Sequence, residues 1–217
     1  MRDVYDYAKF FIQNGADSLP NTYDGNMKLQ KLLVFADFIS IAEYEKPLFQ
    51  DNVFAFKNGC VVEKVRLRYK NDYYGLKRDS DIYQPDFTDN EYAILKLVLD
   101  VFGHASAREL SEINHTFTFW KEAYANGTDA DGYHNKSLSI VHMNDYKEDI
   151  VKMKTIIDAY KESIANTETF EVINGITFYY DGFLLDDSII EKLEDFSLEA
   201  EDDTYSVYID DGELVIY

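Results

Sequence analysis

The sequence predicts an α+β protein: a mostly helical part over residues 1–165, then a small ββαββ appendage over residues 166–217. Three observations carry this. Apolar residues recur at helical spacing through the first part, and two S/T-x-x-E boxes mark helix starts there. After Ala165 the period shortens to two around a pair of Asx-Gly dipeptides, the mark of tight hairpins. A chain of 217 residues that is 46% hydrophobic and 16% aromatic has the means to bury a sizeable core.

Taken in order, Val4, Tyr7, Ala8 and Phe11 form one helical stripe, which Gly15 can close in the left-handed conformation. The run NMKLQKLLVFADF at 26–38 is apolar on nearly every side, as a central helix would be, with Asn26 as its candidate cap and an end near Tyr44. FQDNVFAFKNG lies between Pro47 and Gly59 and reads as a loop or a small strand pair. Thr88 with Glu91 and Ser106 with Glu109 have capping-box spacing. Tyr92, Leu95, Leu99 and Phe102 line the helix between them, which ends at Gly103. Leu110 and Ile113 open another, and Trp120 sits on a short turn that Gly127 stops. Tyr146, Ile150, Met153, Ile157, Tyr160 and Ile164 make a heptad seam, able to pack on this chain's own helices or to join two copies as a homo-oligomer. In the appendage, Asn174-Gly175 and Asp211-Gly212 turn two hairpins. Between them lies one amphipathic helix with Ile189, Ile190, Leu193 and Phe196 on a single face.

Charge is unevenly placed. The total is −20, yet residues 166–217 hold 15 acids against Lys192 alone, a net −14, and the preceding 165 residues hold 26 acids and 20 bases, a net −6. Such a tail repels phosphates and attracts a basic protein partner, so nucleic acid is not its expected partner. The counter-example is Lys57 to Arg78, where seven bases face only Glu63 and Asp72 and where Tyr69, Tyr73 and Tyr74 are interleaved, with Tyr83 beyond. Basic plus aromatic suits single-stranded nucleic acid, and a solvated surface is the plainer reading.

Catalytic and metal signatures are missing from the sequence. The Gly of KNGCVV lacks the companions of a phosphate loop. The histidines, His104, His115, His134 and His142, are scattered, and no local context singles out a nucleophile. We therefore expect no enzyme activity, no cofactor and no metal. Cys60 is the only cysteine, so no internal disulfide can form. The N-terminus reads as carrying no signal peptide and no run is long enough to span a membrane, which gives the expectation of a cytoplasmic protein.

KLQKLLVFADF, EKPLFQDNVFAFKNGCVV and LSEINHTFTFWKEA, in this order and spacing, resemble the Panacea domain of the SocA-like antitoxin family, also described as phage-associated. Leu29, Lys31, Leu32 and Leu33 match its first helix. Lys46, Pro47, Leu48 and Phe49 match its second element, Ala55, Gly59 and Val61 its third, and Leu110, Ser111, His115, Trp120 and Lys121 its fourth. Phe56, Cys60, Asn114 and Phe119 depart from the family pattern at turn positions. The resemblance covers roughly residues 4–160 and implies a helical scaffold that neutralises a toxin, with Leu29, Lys31, Leu32, Gly59, His115 and Trp120 structural. Neutralisation by direct binding, delivery of the toxin to an ATP-dependent protease, and a nucleic-acid-binding regulator are the three readings open at this point. In the first, specificity lies in the acidic tail, with Phe183, Asp202, Asp203, Tyr205, Tyr208, Asp210 and Asp211 as contact candidates for a basic toxin.

Overall fold

A computed structural model describes residues 2–165, 169–180, 185–210 and 213–217. By compactness the chain divides into Met1–Ile157 and Asp158–Tyr217.

The first unit is built around one buried helix. Helix α1 (Val4–Gln13) starts on Asp3, whose carboxylate accepts the Tyr5 N–H, and Gly15 follows it at φ +65°, as its sequence position suggested. Helix α2 (Tyr23–Tyr44) buries Leu29, Leu32, Leu33, Val34, Phe35, Ala36, Phe38 and Ile39 completely. Apolar groups removed from water on every side of one helix make it the centre of the core. Its cap is Thr22 rather than Asn26. Thr22 is extended and its hydroxyl accepts the Gly25 N–H at 3.0 Å, whereas Asn26 lies inside the helix and donates to the Arg66 carbonyl.

Strands β1 (Val53–Phe56) and β2 (Gly59–Val62) form the hairpin anticipated at FQDNVFAFKNG, and β3 (Ile140–Val141) pairs with the other edge of β1. Helices α3 (Glu63–Asn71) and α4 (Tyr73–Asp81) follow, then α5 (Asp89–Phe102) and α6 (Ala107–His115). Both α5 and α6 open with complete capping boxes, at Thr88/Glu91 and Ser106/Glu109. Helix α7 (Thr118–Gly127) carries Trp120 in its first turn, so that residue is helical and not on a connecting turn. Its cap comes from far along the chain: buried Asp149 accepts the Phe119 N–H at 2.9 Å. Helix α8 (Lys147–Ala165) turns Met153 and Ile157 fully into the core of the first unit, with Tyr146 and Ile150 packed beside them. That stretch of the heptad seam is thus engaged within its own chain. Tyr160 is half-buried, and the Ile164 side chain lies outside what is described.

In the second unit, β4 (Thr169–Ile173), β5 (Ile176–Tyr180), helix α9 (Asp187–Ser197), β6 (Thr204–Asp210) and β7 (Glu213–Ile216) follow the ββαββ order. The sheet runs β4-β5-β6-β7, antiparallel except for the β5/β6 pair, which α9 connects. Asn174 and Gly175 both have positive φ, 52° and 87°, as a type I′ turn requires. The Asp211-Gly212 turn lies outside the described residues. Leu193 of α9 packs with Ile173, Phe178 and Val207 in a separate small core.

Candidate functional sites

The motif residues of the first unit converge on one short piece of backbone. The turn joining β1 to β2 exposes peptide groups that need partners, and side chains from three helices supply them. From α7, the Trp120 indole donates to the Phe56 carbonyl at 2.9 Å. From α6, the Ser111 hydroxyl donates to the Asn58 carbonyl at 2.9 Å and Asn114 Oδ1 accepts the Cys60 N–H at 2.7 Å. From α2, Lys31 Nζ donates to the Cys60 carbonyl at 2.9 Å and Gln30 Oε1 accepts the Val62 N–H at 3.0 Å. His115 stacks on Trp120 with ring centres 3.8 Å apart. Gly59 sits against this clasp at φ +93°. A Cβ there would come within 2.7 Å of both Lys31 Cε and Asn114 Oδ1, so the position requires glycine for space as well as conformation.

The second motif has a similar logic. Asp37 of α2 is buried and accepts the Leu48 N–H at 2.6 Å, while the Tyr7 hydroxyl, which donates to Glu91 at 2.6 Å, lies 3.2 Å from the Leu48 carbonyl. Burial pushes the Asp37 carboxyl up to about 7, against the pull of the Leu48 and Phe49 N–H groups. These residues hold a loop and a hairpin in place. Cys60 is fully buried and its thiol is pushed up to about 12 by that burial, which leaves it inert as a nucleophile at neutral pH. Among the described residues no cluster of His, Cys, Asp or Glu could hold a metal ion.

Beside the hairpin lies a groove of about 620 Å³. The start of α2, the β1–β2 turn and α3 line it. Lys31, Lys57, Arg66 and Lys70 are among its lining residues, and no Asp or Glu is. Arg66 bonds Glu63 at 2.6 Å, whereas Lys57 and Lys70 are exposed and have no carboxylate within 4.0 Å among the described residues. The basic stretch read from the sequence is therefore split. Lys64, Arg68 and Lys77 are paired with Asp3, Asp79 and Asp81, and the remainder faces the groove or solvent. Of the interleaved tyrosines, Tyr69 and Tyr73 are buried with their hydroxyls on Asp17, so neither ring is offered for stacking.

The second unit presents a different surface. Helix α9 covers one sheet face, where Phe178, Tyr205 and Val207 lie. The other carries a row across all four strands, Phe170–Tyr179–Ser206–Tyr217, flanked by Val172 on one side and by Tyr208 and Val215 on the other. Phe170 is 57% exposed, Tyr208 43% and Tyr217 72%. Of the tail residues singled out from the sequence, Tyr208 and Asp210 share this open face, and Asp202 and Asp203 are exposed just before β6. Tyr205 is on the covered face, where its hydroxyl accepts the Glu201 and Asp202 N–H groups at 2.9 Å. Phe183 and Asp211 lie outside the described residues. Phe170, Tyr179 and Tyr217 were missed by the sequence reading, although alternation away from the Asn174-Gly175 turn would have paired the first two.

No helix among the described residues is long and apolar enough to cross a membrane. No curated protein and no solved structure matches the chain. A family model does: the one described as antitoxin SocA-like, Panacea domain, matches residues 29–121. That span runs from Leu29 through the hairpin to Lys121 and so holds the whole clasp, from Gln30 and Lys31 to Trp120. Over residues 29–121 the chain is similar to the Panacea domain of antitoxin SocA-like proteins.

Proposed function

We propose that this protein is an antitoxin that neutralises a cognate, basic toxin by binding it directly, with specificity in its acidic C-terminal unit. The similarity to the Panacea domain supports the antitoxin role. The observation that carries the choice of surface is the open aromatic face of the second sheet. It lies in a segment with 15 acids and a single base, outside the span that matches the family. Aromatic anchors ringed by charge are the usual energetic pattern of a protein interface, and an acidic field speeds capture of a basic partner. The polar motif residues of the first unit are committed to holding the hairpin, which suits a scaffold that binds and performs no catalysis.

The test is co-expression with the growth-inhibiting product of an adjacent reading frame. The double variant Tyr208→Ala/Tyr217→Ala and the reversal Asp202→Lys/Asp203→Lys/Asp210→Lys should each lose protection while the purified proteins stay folded. Full protection by both would sink the assignment of specificity to this face. Protection that disappears in a host lacking its ATP-dependent protease would point instead to delivery of the toxin for degradation.

A further inference from the structure

The groove of the first unit has no role in that reading, and its chemistry is unlike the rest of the molecule. In a protein of net charge −20, four bases and no carboxylate line one concavity. Two of them, Lys57 and Lys70, have no ion partner among the described residues. Lys31 is completely buried at the groove wall with one carbonyl for company. A buried ammonium is costly without a counter-charge, and an anion entering the groove would supply one. The lining residues Thr22 and Tyr23 are the cap and first residue of the 22-residue helix α2, whose dipole adds to the same positive field and is offset in part by Asp24 in its first turn.

Size and shape narrow the ligand. A volume of about 620 Å³ falls within the range typical of small-molecule pockets. An extended peptide could not join β2 by strand addition. The outward groups of that edge strand are already occupied, the Cys60 N–H by Asn114, the Cys60 carbonyl by Lys31 and the Val62 N–H by Gln30. A nucleic-acid strand would need successive stacking platforms, and Tyr69 and Tyr73 are buried. One aromatic ring is well placed: Tyr23 lines the groove, is 69% exposed, and is held by the Asn58 amide donating to its hydroxyl at 2.6 Å. Phe56, on the hairpin, also lines the groove and lies beneath the Arg66 guanidinium at 5.6 Å.

We propose that this groove is a binding site for a single nucleoside phosphate. The phosphates pair with the exposed Lys57 and Lys70, and the base lies against Tyr23. The site is independent of the toxin-binding face, and its test needs no toxin.

The full-length protein is titrated calorimetrically, at low salt, with the common nucleoside mono- and triphosphates at up to about 1 mM, with pyrophosphate, with the free nucleosides, and with an acidic tyrosine-containing peptide. At least one nucleoside phosphate should bind and raise the melting temperature, about tenfold or more tighter than pyrophosphate or its own nucleoside. Lys57→Glu/Lys70→Glu, at exposed positions, should weaken that binding about tenfold or more, while Lys96→Glu on α5 should leave it unchanged. Four results would each overturn the proposal: no heat and no melting shift with any nucleoside phosphate, equal binding of pyrophosphate and nucleotide, unchanged affinity in Lys57→Glu/Lys70→Glu when that variant melts as the parent does, or binding of the acidic peptide alone.

Discussion

Lys31 Nζ lies 2.9 Å from the carbonyl oxygen of Cys60, and among the described residues no carboxylate lies within 4.0 Å of it. Burial lowers its pKa from 10.5 to about 8. Between these two values the unfolded chain binds the proton more tightly than the folded one, so this residue makes stability rise with pH across that window. Lys31→Met keeps the length without the charge. The wild type should gain on this variant between pH 8 and 10 by up to about 3 kcal/mol, read from urea unfolding at the two ends. The Cys60 thiol, pushed up to about 12, stays protonated in the folded wild type throughout. A gap independent of pH would show that burial does not lower the Lys31 pKa and that the folded chain keeps its proton as firmly as the unfolded one.

Glu91 closes the α5 capping box and accepts the Tyr7 hydroxyl at 2.6 Å. Burial alone would raise its pKa, but hydrogen bonds from Tyr7, Thr88 and Arg2 outweigh it and hold the carboxyl at about 2, against an ordinary 4.5. A lowered acid pKa stabilises the fold fully above 4.5, and that contribution is lost as pH falls towards 2. Glu91→Gln should therefore cost about 2–3 kcal/mol at pH 7. The gap to wild type should close in acid unfolding curves collected down to pH 2.

Two glycines with positive φ should respond differently to alanine. Gly175 has nothing within 4 Å of its would-be Cβ, so Gly175→Ala bears only the conformational cost of the turn, about 1 kcal/mol. At Gly59 the same strain is joined by contacts of 2.7 Å with Lys31 and Asn114, so Gly59→Ala should cost about 3 kcal/mol or more. Thermal unfolding of the two variants side by side checks the order.

Trp120→Phe keeps an aromatic partner for His115 but removes the indole donor from the Phe56 carbonyl. The expected loss is about 1–2 kcal/mol, with hydrogen exchange at the hairpin amides rising more than elsewhere in the first unit. Uniform exchange would mean that the indole bond does not anchor the hairpin.

Much of the fold is legible in the sequence because its causes are local. The capping boxes at Thr88 and Ser106, the left-handed Gly15 and the Asn174-Gly175 turn each depend on residues within a few positions of one another. The all-round apolar character of 26–38 is likewise enough to make α2 a central helix. Where the reading slipped, a competing local group or a distant one won. Thr22, already extended, took the cap from Asn26, and Asp149 capped α7 from 30 residues away, making Trp120 helical.

The sequence by itself determined the helical and hairpin elements, the Panacea resemblance and the separation of charge, since periodicity, turn chemistry and residue counts are properties of neighbours. Only the tertiary structure decided which of those residues act together. Ser111, Asn114 and Trp120 meet their hairpin partners across 53, 54 and 64 residues, and the pleat of the second sheet sets Tyr205 and Tyr208 on opposite faces. Peptide groups left open by the hairpin had to be satisfied once water was gone, and where the chain could reach them was settled by packing around α2.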